Sequence, residues 1–150
     1  MPFHNAELFP LSANINIAGN LEIGGCDTVS MAQEFGTPLY VYDESTIRSM
    51  AKTYLHEFSS RYPDTTVAYA SKAFLNKEMS RIANEESLSL DVVSGGEIAV
   101  AVSTGFPAER MYFHGNNKTL QELSEAINVG IGTIVVDGFQ ELDLLNEIAK

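Results

Sequence analysis

VAYASKAFLN, residues 67–76, sets a lysine at the end of an apolar run. Val67, Ala68, Tyr69 and Ala70 suit a buried β-strand, where β-branched, aromatic and small side chains pack on a pleated surface. Lys72 then follows two positions later, although lysine is among the residues least often buried. Partial desolvation of a strand-end lysine favours its neutral amine, the form that imine chemistry with a carbonyl requires. An anion clamp and an exposed loop lysine are the other readings of the same residue. The flanking sequence has to choose among them.

Short apolar runs of this kind recur on both sides of the next turn. VAYA at 67–70, LDVVS at 90–94, MYFHG at 111–115 and TIVVD at 133–137 are strand candidates. With Tyr69, Asp91, Tyr112 and Ile134 as markers, the steps between them are 22, 21 and 22 residues. Helical patterns fill the gaps. Leu75, Met79, Ile82 and Ala83 share one face, and Ile98, Ala99, Ala101 and Val102 form an apolar surface after Gly95-Gly96. Thr119-Leu-Gln-Glu122 is a capping box, in which the two side chains satisfy amides that the first helical turn leaves unpaired. The helix it opens carries Leu120, Leu123, Ala126 and Ile127 and meets Gly130, a residue suited to a left-handed stop. Phe139, Leu142, Leu145 and Ile148 mark a fourth helix. Strands alternating with helices at this period predict parallel βα units.

Upstream, Asp43 is placed to cap a helix with the stripe Ile47, Met50, Ala51, Tyr54, Leu55 and Phe58. Residues 1–42 differ in pattern. LEIGG and PLYVY read as strands separated by the short helix TVSMAQEF, with Gly36 and Pro38 as stop signals. A segment through residue 43 is therefore expected to belong to another structural unit than residues 44–150. Four βα units do not close a barrel, which takes eight strands and typically about 250 residues. The apolar pattern continues to Lys150 without a cap, so the chain is expected to be part of a longer one.

The formal net charge of -11, with only 9 Lys and Arg residues, offers no basic footprint for nucleic acid or an anionic membrane. The single cysteine, Cys26, excludes an internal disulfide. No secretory signal or apolar run of membrane-spanning length is visible, so a cytoplasmic setting is expected. His4, His56 and His114 show no metal-ligand spacing, and no metal is expected.

In parallel βα architectures, ligands collect at the carboxyl ends of the strands. Those ends carry Lys72, the run Ser94-Gly-Gly-Glu97, the run His114-Gly-Asn-Asn-Lys118, and Asp137. Each polar residue also has a structural reading. Ser94 and Asp137 suit helix caps, Asn116 and Asn117 suit a turn, and His114 suits a satisfied structural histidine.

YASKAFLN, LDVVSGGEI, GFPAERMYFHGNNKT and IVVDGFQELDLL, in this order and spacing, resemble the diaminopimelate decarboxylases. These are pyridoxal 5'-phosphate enzymes of the alanine racemase-like fold type. GTPLYVYDESTIR resembles the family's entry into its barrel. The resemblance implies an α/β fold: the N-terminal half of a pyridoxal-phosphate-binding (β/α)8 barrel, preceded by a segment of a β-domain. It also implies that Lys72 is the Schiff-base lysine and that Asp91 lies near it in a catalytic role. Ala70, Ser94, Glu97, His114 and Asn116 fall on segments that face the cofactor. The implied reaction is decarboxylation of meso-2,6-diaminopimelate to L-lysine and CO2, the last step of lysine biosynthesis. A homodimer is implied too, because the family donates a cysteine across a subunit interface, a role that Cys26 does not match.

The phosphate cradle and the substrate-binding residues of the family lie beyond residue 150, so the 150-residue chain alone is expected to be inactive. Decarboxylation of ornithine, arginine or carboxynorspermidine is the alternative within the fold type, and a non-catalytic cofactor-binding barrel the alternative outside it. One position departs from the family: Ser87 in NEESLSLDV stands where a glycine is usual. If the backbone there is left-handed, serine costs about 1 kcal/mol of strain.

Overall fold

Paired glycines open the chain's first sheet. Leu21–Ile23 (β2) turns at Gly24-Gly25 into Cys26–Asp27 (β3), and Asn14–Ile15 (β1) pairs antiparallel on the other side of β2. Gly24 and Gly25 both have positive φ, 59° and 78°, as a two-residue hairpin requires to follow strand twist. This computed structural model describes residues 3–150 and divides into two units, one running through Thr53 and one from Tyr54 to Lys150.

In the first unit, Asp27 caps Thr28–Phe35 (α1) by accepting the Val29 and Ser30 amides at 2.9 and 3.0 Å. Its other oxygen accepts from the side-chain amides of Asn16 and Asn20 at 2.6 and 2.9 Å, fixing the β1–β2 turn to the helix start. The expected helix is therefore present, and it ends at Gly36, φ 81°. PLYVY is not a strand. Residues 38–42 run without a ladder partner among the described residues, and Pro38 has no amide to give to one. LEIGG, by contrast, finds both of its partners within this unit. Asp43 caps Glu44–Ser59 (α2) as expected, accepting the Thr46 amide at 3.1 Å and both neighbouring hydroxyls, Ser45 and Thr46.

The second unit is a parallel sheet of Ala68–Ala70 (β4), Ser89–Val92 (β5), Met111–Phe113 (β6) and Thr133–Ile134 (β7), ordered as numbered. Lys77–Glu85 (α3), Gly95–Ser103 (α4), Leu120–Asn128 (α5) and Phe139–Ile148 (α6) follow the strands in turn. This is the predicted βα alternation, the N-terminal part of the barrel architecture. The register aligns Ala70 with Asp91, Asp91 with Tyr112, and Tyr112 with Thr133. Because paired residues point to the same side, the sheet has two distinct faces. Leu90, Val92, Met111 and Phe113 lie on one, each 0% exposed; with Met79, Ile82, Ala83, Ile98, Leu123 and Ala126 they form the core. Ala68, Asp91, Tyr112 and His114 line a depression of about 320 Å³ on the other.

Four expectations about burial need correction. Among the described residues β4 pairs with β5 alone, and there Ala68 is exposed while Tyr69 and Ala70 are half-buried. The α4 surface contracts to Ile98 and Ala101, because Ala99 and Val102 point away from the sheet. The α6 stripe is not core: Phe139 is 88% and Leu142 50% exposed. The α5 capping box is present as read, but Leu120 stays at the surface.

Candidate active site

Lys72 occupies the middle of a single 3-10 turn, Ser71–Ala73, that leaves the end of β4. The turn is braced from both sides. Tyr69 Oη donates to the Phe74 carbonyl at 2.7 Å, spanning it, and Asn76 caps α3 by accepting the Met79 amide at 2.8 Å. Ser71 is 2% exposed and its hydroxyl has no hydrogen-bond partner among the described residues. Lys72 itself is exposed and makes no hydrogen bond or ion pair among the described residues. The strand before it, β4, pairs with β5 alone among the described residues.

On the next two strands, the structure brings together two of the predicted residues. His114 Nδ1 lies 2.9 Å from Asp91 Oδ1, joining β5 to the segment after β6. An ionised carboxylate only accepts, so in this contact Nδ1 carries the proton and Nε2 is left as the other ring position. The pair is part-exposed, 49% for His114 and 27% for Asp91. Ala70 stands in register beside Asp91, and its small side chain leaves that position open.

Ser94 and Glu97 serve the start of α4. Ser94 Oγ accepts the Glu97 amide at 3.3 Å, and Glu97 Oε2 accepts the Val93 amide at 2.7 Å. The cap that the sequence offers as the structural reading of Ser94 is thus occupied, while Asp137 does not cap; Gly138 takes that place in α6 without a side-chain bond. Asn116 is exposed in the turn between β6 and α5.

Sequence reasoning missed the long-range polar contacts of the second unit. Glu122, beyond its own capping box, accepts the Gly95 amide at 2.9 Å and so joins the starts of α4 and α5. That bond, followed by those from the Thr119 amide and hydroxyl, holds the Glu122 carboxyl below its ordinary value. Arg110 donates to Asn84 Oδ1 at 2.8 Å and to the Leu88 carbonyl, with its guanidinium 5.1 Å above the Phe106 ring. Lys118 carries a side chain that is 0% exposed and ends 2.9 Å from Glu141. The Lys118–Glu141 partners are 23 positions apart, and no local pattern announces them.

Residues 45–150 match the model of the pyridoxal-dependent decarboxylases, specifically their pyridoxal-binding domain. The chain belongs to this family. Among curated relatives of this chain, the diaminopimelate decarboxylase of Bacillus subtilis is 54% identical over 135 residues, covering 90% of the chain and 31% of the relative. That of Synechocystis is 46% identical, covering 99% of the chain and 33% of the relative. The chain thus spans about a third of the length of the curated relatives it matches.

Among solved structures, diaminopimelate decarboxylase from M. jannaschii in complex with L-lysine superposes with a TM-score of 0.82 at 32% identity. That match covers 93% of this chain and 33% of the other. AQ1208 from Aquifex aeolicus superposes at 0.79 with 37% identity, covering 92% and 33%.

The residues present fit a pyridoxal group. An aldehyde cofactor needs an amine unencumbered by an ion pair, and Lys72 supplies one. The hydroxyl of Ser71, the residue before it, is buried without a hydrogen-bond partner among the described residues. Among the described residues, no helix is long and apolar enough to cross a membrane.

Proposed function

We propose that the full-length protein decarboxylates meso-2,6-diaminopimelate to L-lysine and CO2, with pyridoxal 5'-phosphate held by Lys72. The observation that carries this reading is 54% identity to a diaminopimelate decarboxylase across a segment that includes an unpaired strand-end lysine. The bound cofactor would act as an electron sink for the charge left on the substrate carbon when CO2 departs.

The chain's own residues do the rest. Lys72 Nζ holds the cofactor and, once released from it, is placed to move a proton. Asp91 Oδ1 keeps the His114 imidazole in one tautomer through the 2.9 Å contact, so that a fixed Nε2 is offered on the open face of the sheet. Ala70 leaves space beside Asp91, and Ser94, Glu97 and Asn116 line the rim from which substrate and cofactor enter. In the same reading the full-length protein is a cytoplasmic homodimer.

Borohydride reduction of the full-length protein in the presence of pyridoxal phosphate, followed by peptide mapping, tests the cofactor assignment. The label is expected on Lys72 within YASKAFLN. Label on Lys77 or Lys118 instead would reject it. Release of CO2 from meso-diaminopimelate, with ornithine and arginine as competitors, tests the substrate. Turnover of ornithine in preference to diaminopimelate would overturn that half of the proposal.

A further inference from the structure

Lys118 is a fully enclosed cation in a chain whose net charge is -11, and the reading above gives it no task. Its Nζ donates to the Val135 carbonyl at 3.0 Å and to the Gly115 carbonyl. Glu141 Oε1 lies 2.9 Å away as an ion-pair contact rather than a directed hydrogen bond, and the Phe113 ring centroid is 5.7 Å from Nζ. One ammonium group therefore ties together the end of β6, the segment after β7 and the first turn of α6.

Enclosing such a pair removes two ions from water, and apolar residues of equal volume commonly serve stability as well or better. A buried pair at this place is better explained by the geometry it enforces. The carbonyl it grips belongs to Gly115, whose φ of 111° is a conformation that other residues rarely adopt. Gly115 immediately follows His114. Holding the Gly115 carbonyl fixes the backbone from which His114 reaches 2.9 Å to Asp91.

We propose that Lys118, paired with Glu141, is a positioning residue that acts through Gly115 to hold His114 against Asp91. The proposal rests on the decarboxylase reading only for its kinetic consequence, since the alignment of His114 can be measured without turnover.

The variant to make in the full-length protein is Lys118→Met combined with Glu141→Gln, which removes both charges and leaves no unpaired buried ion. The first readout is the His114 Nδ1–H resonance in NMR of the folded protein, identified by its loss in Asp91→Ala. It is expected to be present in the wild type and lost or exchange-broadened in the double variant; an unchanged resonance would overturn the proposal.

The second readout is a cycle with His114→Ala. The double variant is expected to lower kcat by about 10-fold alone and by less than about 2-fold in the His114→Ala background, because coupled residues are non-additive. An equal loss in both backgrounds would mean that Lys118 acts by another route, and would overturn it. If His114→Ala leaves kcat unchanged, the reading of His114 as a site residue fails instead, and the resonance alone decides the positioning role. Should the double variant not fold, Glu141→Gln alone is read by the same resonance, with the same two outcomes.

Discussion

Three helices of the second unit end in the same closure, and one of them violates its rule. After α3, the Leu88 amide donates to the Ala83 carbonyl at 2.8 Å and the Ser87 amide to Asn84 at 3.0 Å. After α4, Phe106 donates to Ala101 at 3.1 Å and Gly105 to Val102 at 3.0 Å; after α5, Ile131 donates to Ala126 and Gly130 to Ile127, both at 3.0 Å. This double bond is the Schellman motif, and it demands a left-handed residue at its pivot.

The pivots are Ser87, Gly105 and Gly130, with φ of 61°, 75° and 75°. Serine therefore does at Ser87 what glycine does at the equivalent points of the next two units. A left-handed backbone costs an L-residue about 1–2 kcal/mol. Glycine's greater freedom in the unfolded chain offsets about 0.4–1 kcal/mol of that. Ser87 is exposed, so losing its side chain forfeits little packing.

Ser87→Gly is thus expected to stabilise the protein by about 0.5–1 kcal/mol, or about 1–4 °C in a chain of this size. The reverse substitutions, Gly105→Ser and Gly130→Ser, should cost about as much. At both glycines no heavy atom lies within 4 Å of an added Cβ, so the penalty is the backbone's alone. Urea denaturation followed by circular dichroism reads all three, with the midpoint moving and the slope constant. If Ser87→Gly leaves the midpoint in place while the two glycine variants lower it, the strain assigned to Ser87 does not exist.

Glu122→Gln weakens the bonds to Thr119 and Gly95 and is expected to destabilise by about 1–2 kcal/mol, measured by the same denaturation; since the Glu122 carboxyl is held below its ordinary value, its contribution is complete at neutral pH and is lost as pH falls through that lowered value. Asp27 is held at about 2, against 3.8 for an ordinary aspartate, mainly by the Asn20 amide and then by the Ser30 amide and Asn16. Its contribution is therefore present above 3.8 and lost as pH falls toward 2, and amide exchange at Val29 and Ser30 should rise over that window in the wild type but not in Asp27→Asn. Gly132→Ala would drive a Cβ into the Glu109 carbonyl, an overlap with backbone that should cost about 3 kcal/mol and show as poor soluble yield or a large drop in thermal midpoint.

What the sequence alone determined lies within a few residues of itself. The capping box at Thr119 and Glu122, the Asp43 cap, the Gly36 and Gly130 stops and the strand–helix period are local, because their partners sit one turn away or recur on one face. Lys72 and His114 could be placed at strand ends for the same reason: the period sets where each strand stops. Register decided that Asp91 and His114 touch, since only pairing of β5 with β6 sets which side chains share a face. Burial was decided by neighbours too. Among the described residues β4 pairs with β5 alone, and the run that reads as a buried strand is half-buried there with Lys72 exposed. PLYVY has the composition of a strand but no ladder to join, and composition cannot supply one. The Lys118–Glu141 pair and the Glu122–Gly95 bond were out of reach for the same physical reason. An ion or an amide finds its partner through the packing of whole elements, and that packing carries no signature in the residues beside it.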